Sequence, residues 1–182
     1  MLYLLRTCEK SREHQMALSL LAYGMRTEYG MEKLPAIGTQ KLGKPCFPEH
    51  PNIYFNYSHS PFGILLGLHT GEIGVDIQGR ISYKERLARR ICHPEEMICL
   101  KRGQGTDEMI TRFWTAKESY LKFTGEGIRR DLRQIDCSEC LQGHGCVEHA
   151  DVYSFMEREF GWAVCCIGSL PKLFEVKWEE LK

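Results

Sequence analysis

Ile53-Tyr54-Phe55-Asn56-Tyr57-Ser58-His59-Ser60-Pro61-Phe62-Gly63-Ile64-Leu65-Leu66-Gly67-Leu68 holds two apolar runs, Ile53 to Tyr57 and Gly63 to Leu68, parted by Ser58-His59-Ser60-Pro61. Short runs rich in β-branched and aromatic residues, broken by a Ser/Pro cluster, are the sequence of a β-hairpin. A third run, Ile73 to Ile77, follows directly after His69-Thr70-Gly71-Glu72 and reads as a further strand. Towards the N-terminus, Met1 to Leu5 reads as a short strand. Ser11 then opens a periodic stretch that sets Met16, Leu20, Leu21 and Met25 on one face and predicts a helix ending near Gly30.

Beyond the third strand, helical sequence runs from Tyr83 to about Cys92 and again from Pro94 to about Lys101, where Pro94 suits a first helical turn. The loop Gly103-Gln104-Gly105-Thr106-Asp107 leads to the longest predicted helix, Glu108 to Phe123, stopped by Gly125 and Gly127. Strand-like runs at Val152 to Phe155, Trp162 to Ile167 and Phe174 to Trp178 follow. The expected class is α+β, with two similar lobes in a pseudo-twofold arrangement, each a small, mostly antiparallel sheet packed with helices. The lobes are expected to meet near residue 71, residues 1–71 forming the N-terminal lobe and 72–182 the C-terminal one. No linker or convincing repeat separates them.

Twenty-four basic residues balance twenty-four acidic ones in 182, so no global field draws the chain to nucleic acid or to a membrane surface. Any anion site must be local. The N-terminus Met1-Leu2-Tyr3-Leu4-Leu5-Arg6 is too short for a signal peptide, and no apolar run approaches the ~20 residues of a membrane span, so a cytoplasmic location is expected. Nine cysteines form no regular framework, which favours reduced thiols.

In Gly74-Val75-Asp76-Ile77-Gln78 the two-residue period of a strand sends Val75 and Ile77 to one face and Asp76 with Gln78 to the other. Two oxygen donors on one face suit a hard cation such as magnesium, although an Asp near a strand end also serves as a turn or cap residue. In Arg112-Phe113-Trp114-Thr115-Ala116-Lys117-Glu118-Ser119-Tyr120-Leu121-Lys122, helical spacing gives an apolar stripe of Ile110, Phe113, Trp114 and Leu121. Lys117 lies within that stripe, and Glu118 and Lys122 run along its edge. A lysine there is costly unless it snorkels out or meets an anion, so it argues for a partner. The plain alternative for Glu118 and Lys122 is a solvated pair worth ~0.3 kcal/mol. The segment Asn56 to Ser60 reads as a turn that gathers a His and two hydroxyls, and Gly43-Lys44-Pro45 places a cation on a stiffened loop.

Gly43-Lys44-Pro45, Phe55-Asn56-Tyr57-Ser58-His59-Ser60, Gly74-Val75-Asp76-Ile77 and Trp114 to Lys122 occur in that order. Together they resemble the 4'-phosphopantetheinyl transferases of the surfactin-synthetase-activating type, over roughly residues 12 to 135. The resemblance implies a holo-[acyl-carrier-protein] synthase type of enzyme. It would carry the 4'-phosphopantetheine arm of coenzyme A to a serine of an acyl or peptidyl carrier protein, with Mg2+, releasing adenosine 3',5'-bisphosphate. By matching position it implies Asp76 and Glu118 as metal ligands, Lys122 and His59 on the coenzyme A phosphates, and Lys44 and Ser58 at the nucleotide end. Lys117 joins the implied coenzyme A contacts, and Asp76, Glu118 and Lys122 form the implied catalytic set. The serine would attack the β-phosphate, with Glu118 or a metal-bound water taking its proton.

Gln78 stands where the family pattern has a further acidic ligand, and its amide oxygen would coordinate with less charge. The leader is short, leaving Arg6, Lys10 and Arg12 as its basic residues. After Asp136 no alignment holds; there Cys137, Cys140, His144, Cys146 and His149 have spacing that would suit zinc, or form a cysteine-rich loop in a reduced compartment. Two other functions follow from these features: a catalytically weakened coenzyme A or carrier-binding homologue, and a small zinc-stabilised interaction module. A two-lobed chain is expected to act as a monomer.

Overall fold

The two-residue period of the strands sorts apolar side chains between layers in the computed structural model, which describes residues 1–7, 9–40 and 42–181. In chain order the elements are β1 (Leu2–Leu5), α1 (Glu13–Tyr29), β2 (Gly38–Thr39), β3 (Pro45–Cys46), β4 (Tyr54–Ser60), β5 (Gly63–His69) and β6 (Gly74–Gly79). Then come α2 (Glu85–Ile91), α3 (Pro94–Arg102), α4 (Asp107–Thr124), β7 (His144–Val147), β8 (Ala150–Met156), β9 (Phe160–Cys166) and β10 (Leu173–Val176). The fold is α+β. One four-stranded sheet has the order β10-β1-β5-β4 and the other β6-β9-β8-β7, with β2 and β3 forming a separate pair.

The predicted strands and helices are present with ends shifted by a few residues, and β7 and the β2/β3 pair are additions. One strand belongs elsewhere than the sequence places it. β10 falls in the stretch assigned to the C-terminal half, yet it pairs in parallel with β1, Leu2 opposite Leu173 and Leu5 opposite Val176. Three of the seven ladders, β1 with β10, β1 with β5 and β6 with β9, join strands distant in the chain, and local sequence says little about such pairings.

Side-chain alternation builds four layers. Tyr3, Leu5, Ile64, Leu66 and Leu68 face α1 and pack with Met16, Leu20, Leu21 and Met25. Leu2, Leu4 and Leu65 face the opposite way and meet Val75, Ile77, Trp162 and Val164 of the second sheet. The far side of that sheet, with Ala150, Val152 and Cys165, packs against Ile110, Phe113, Ala116, Tyr120 and Leu121 of α4. The order is therefore α1, first sheet, second sheet, α4. Among the described residues no helix is long and apolar enough to cross a membrane.

The α4 ends are written in the chain: Thr106 accepts a hydrogen bond from the Met109 N–H at 3.2 Å, and Gly125, at φ 74°, closes the last turn. Its C-terminal turns rest on β6 without intervening side chain. A Cβ built on Gly74 would lie 2.0 Å from the Ser119 carbonyl oxygen and 2.3 Å from the Phe123 nitrogen, both backbone atoms. Nothing larger than glycine fits. Gly74→Ala is expected to lower the unfolding free energy by about 3 kcal/mol in urea titrations. Gly71→Ala, whose Cβ would meet nothing nearer than His69 Nδ1 at 3.6 Å, should stay within about 0.5 kcal/mol of the parent.

Candidate active site

The stretch Asn56 to Ser60 is strand, not turn. Residues 54–60 pair with 63–69, His59 opposite Ile64 and Ser60 opposite Gly63, and only Pro61 and Phe62 make the turn. Gly63 allows so tight a return: its φ is 149°, and a Cβ would sit 2.4 Å from the Leu5 carbonyl oxygen. Strand alternation then sends Asn56, Ser58 and Ser60 inwards and His59 outwards.

The inward side chains reach β6. Asn56 Oδ1 accepts the Val75 N–H at 2.9 Å, and the Ser58 hydroxyl donates to Asp76 Oδ1 at 2.8 Å, both buried. From the other side Lys122 Nζ donates to Asp76 Oδ1 at 2.7 Å and to the Val75 carbonyl at 3.1 Å. Asp76 Oδ2 is buried with no hydrogen-bond partner among the described residues. The Glu118 carboxyl is pushed above the usual range, first by burial and then by the negative charge of Asp76, with Lys122 opposing. Asp76 from β6 and Glu118 from α4 thus share one electrostatic site, although they are far apart in sequence.

An orphaned buried carboxylate oxygen, a second carboxylate held near it and all-oxygen donors fit a hard cation. Gln78, on the Asp76 face of β6, adds an amide. No third His, Cys, Asp or Glu joins them, since among the described residues no such group of three or more converges. Two carboxylates suit magnesium, which takes one or two together with water and substrate phosphate.

Two clefts follow one another along β4. One, of about 210 Å3, is lined by Leu42, Gly43, Lys44, Asn56, Lys122 and Gly125, among others. The other, of about 280 Å3, is lined by Lys10, Glu13, His59, Ser60, Pro61 and Gln78. Lys44 is 8% exposed; its ammonium is paired with Glu72 and donates to the Phe123 carbonyl at 2.9 Å, at the negative end of α4. His59 Nδ1 lies 3.5 Å from the Glu13 carboxylate, an ion pair when the ring is protonated. Of the three basic leader residues, Arg6 is engaged by Glu157 at 2.7 Å and Glu175 at 2.5 Å, and Arg12 sits over the Trp178 ring. Lys10 lines the second cleft.

Lys117 corrects the sequence reading. Its partner is internal: Nζ lies 2.9 Å from Glu96 and donates to the carbonyls of Leu132 and Ile135 at 2.7 and 2.5 Å. Glu96 is 0% exposed and also accepts the N–H groups of His93 and Cys137 at 2.9 and 2.8 Å. Lys117 is therefore sealed in the interior with all three donors engaged, and ties α4 to α3. Glu96 was legible as the N3 residue of a capping box, but not as the counter-ion of Lys117. Asn56 was missed as well; a buried amide in an apolar strand was its only signal.

The tail residues with zinc-like spacing are dispersed. Cys137 and Cys140 are core residues, and the Cys137 thiol is pushed well up by its hydrogen bond to Cys140 and by burial. His144 pairs with Asp151 at 2.9 Å, and Cys146 is exposed, its thiol turned to the Glu148 carbonyl. All eight described cysteines are free.

Residues 72–168 match the family model of the 4'-phosphopantetheinyl transferase superfamily. The chain is 29% identical over 119 residues to the 4'-phosphopantetheinyl transferase Sfp of Bacillus subtilis strain 168, covering 64% of this chain and 53% of that protein. It is 29% identical over 163 residues to another B. subtilis 4'-phosphopantetheinyl transferase, with 81% and 73% covered. The 4'-phosphopantetheinyl transferase HetI of Nostoc sp. is 31% identical over 126 residues, with 65% and 53% covered. The matched stretch thus spans about half the length of Sfp and of HetI.

Removing one member of the buried pair exposes its worth. Lys117→Met should cost about 3 kcal/mol of stability by leaving Glu96 charged and unpaired, and Glu96→Gln/Lys117→Met should recover part of that loss, as read by urea unfolding. Glu118 carries the opposite sign. Its carboxyl is raised in the folded chain, so the folded state binds the proton more tightly, and its charge costs stability above the ordinary carboxylate range. Glu118→Gln should therefore raise the melting temperature at pH 7, by roughly 2–4 °C per kcal/mol relieved. That gain should shrink as pH falls from above the ordinary carboxylate range towards about 4.5, because the Glu118 carboxyl of the folded chain takes up its proton first.

Proposed function

The chain belongs to the 4'-phosphopantetheinyl transferase superfamily, and on that premise we propose that it moves the 4'-phosphopantetheine arm of coenzyme A to a serine of an acyl or peptidyl carrier protein. The reaction is magnesium dependent and releases adenosine 3',5'-bisphosphate. The observation that carries this reading is the meeting of Asp76, with its unpartnered Oδ2, and Glu118 beside the Lys122 ammonium. We take the two sheets with their helices as the two lobes of a cytoplasmic monomer whose partners are coenzyme A and the carrier, with neither nucleic acid nor membrane.

Asp76 and Glu118, with Gln78 beside them, would hold the magnesium, whose chemistry there is to neutralise pyrophosphate oxygens as a Lewis acid. Lys122 and His59 would contact the coenzyme phosphates, with Lys44 at the nucleotide end of the first cleft. The carrier serine Oγ forms a bond to the β-phosphorus while the bond from that phosphorus to the bridging oxygen breaks, and the bisphosphate leaves with the electron pair. Glu118, or a water held at the metal, would take the serine proton. Burial and the neighbouring Asp76 charge raise the affinity of the Glu118 carboxyl for a proton. Most of the catalysis is positioning and charge stabilisation.

The protein is mixed with coenzyme A, magnesium and several apo carrier proteins, and the carriers are weighed by intact mass. Addition of the pantetheine arm to at least one carrier is expected, and no addition to any of them sinks the enzyme reading. Glu118→Ala should lower the rate at least about 100-fold. Gln78→Glu should preserve or raise it at low magnesium, because a carboxylate restores a charge to the donor set.

A further inference from the structure

A buried carboxylate normally has both oxygens satisfied. In Asp76 the burden is uneven: Oδ1 carries the Ser58 hydroxyl at 2.8 Å and the Lys122 ammonium at 2.7 Å, and Oδ2 carries nothing among the described residues. Two donors converging from different elements on one oxygen fix the plane of the carboxylate and aim the other oxygen. Ser58 does not act alone. β6 is the outer strand of its sheet, and its Val75 N–H, left without a ladder partner on that side, is taken by Asn56 Oδ1 at 2.9 Å. Asn56 and Ser58 are alternate residues of one strand, so β4 grips the backbone of β6 at Val75 and its side chain at Asp76.

We propose that Ser58 is a positioning residue for the cation: its hydroxyl holds Asp76 Oδ1 so that Oδ2 alone is presented to the divalent metal. The inference rests on the magnesium-dependent reading above. It departs from the nucleotide contact that family resemblance implies for Ser58, since the single proton of the hydroxyl is already given to Asp76. Supporting hydrogen bonds of this kind set ligand orientation, and their loss usually weakens metal binding about 10–100-fold. Lys122 cannot substitute for Ser58, because its flexible stem fixes a charge but not a plane.

The test uses the full chain and two readouts that do not depend on turnover. Mn2+ binding is titrated by the loss of its free electron paramagnetic signal, alone and with adenosine 3',5'-bisphosphate. Coenzyme A binding is measured by calorimetry in EDTA. Ser58→Ala should weaken Mn2+ binding about tenfold and change metal-free coenzyme A binding less than twofold. Ser58→Thr keeps the hydroxyl on a residue at home in a strand, and should bind Mn2+ within about threefold of the parent. Unchanged Mn2+ binding in Ser58→Ala overturns the proposal, and so does a tenfold loss of metal-free coenzyme A binding, which marks a direct nucleotide contact. If the parent chain itself takes up no Mn2+, with or without the bisphosphate, the metal reading falls first and takes this inference with it.

Discussion

The backbone of α4 touches the backbone of β6 at Gly74, and the site depends on that contact. With a Cβ there, Ser119 and Phe123 would have to move away, and Glu118 and Lys122, on the same helix, would move with them. A close approach of this kind is rigid, because main-chain atoms cannot swing aside as side-chain ends can. Asp76 lies two residues beyond Gly74 on the same face of the strand, so one contact sets the spacing between the two carboxylates and the lysine. The grip of β4 on β6 supplies the second fixed point. Helix on one side and strand on the other leave the metal-facing residues little freedom, at the expense of an acidic pair that burial and mutual repulsion make less stable.

Charge near the site is balanced locally as well as globally. Lys44 meets Glu72, Lys122 meets Asp76, and His59 lies beside Glu13. A polyphosphate would therefore meet cations that already share a carboxylate, and its net gain would be a difference between two sets of contacts. Lys117 and Glu96 differ in kind. Both are sealed from solvent with every donor and acceptor engaged, so that pair specifies how α3 and α4 dock.

Much of this was legible in the chain. Period-two spacing put Asp76 and Gln78 on one face of a strand, and helical spacing put Glu118 and Lys122 on one edge, because both patterns are local. Ser58 was misread as a turn residue because Ser58-His59-Ser60-Pro61 carries turn composition, whereas the strand runs to Ser60 and only Pro61 and Phe62 turn. Lys117 was read as reaching for a ligand. It does need an anion, but that anion is Glu96, on another helix, and no spacing rule joins them. Close packing at Gly74 was equally hidden, since a glycine in a strand does not say what approaches it.

The parallel seating of β10 beside β1 ties residues 2–5 to residues 173–176, which are made much later on the ribosome. Until residues 173–176 emerge, β1 has one flank unpaired, and the first sheet waits with an open edge. A nascent chain of this design cannot finish its N-terminal portion first and move on. Its closure waits for that strand, and any pause or truncation before it leaves a sticky margin that chaperones, or other unfinished copies, can capture.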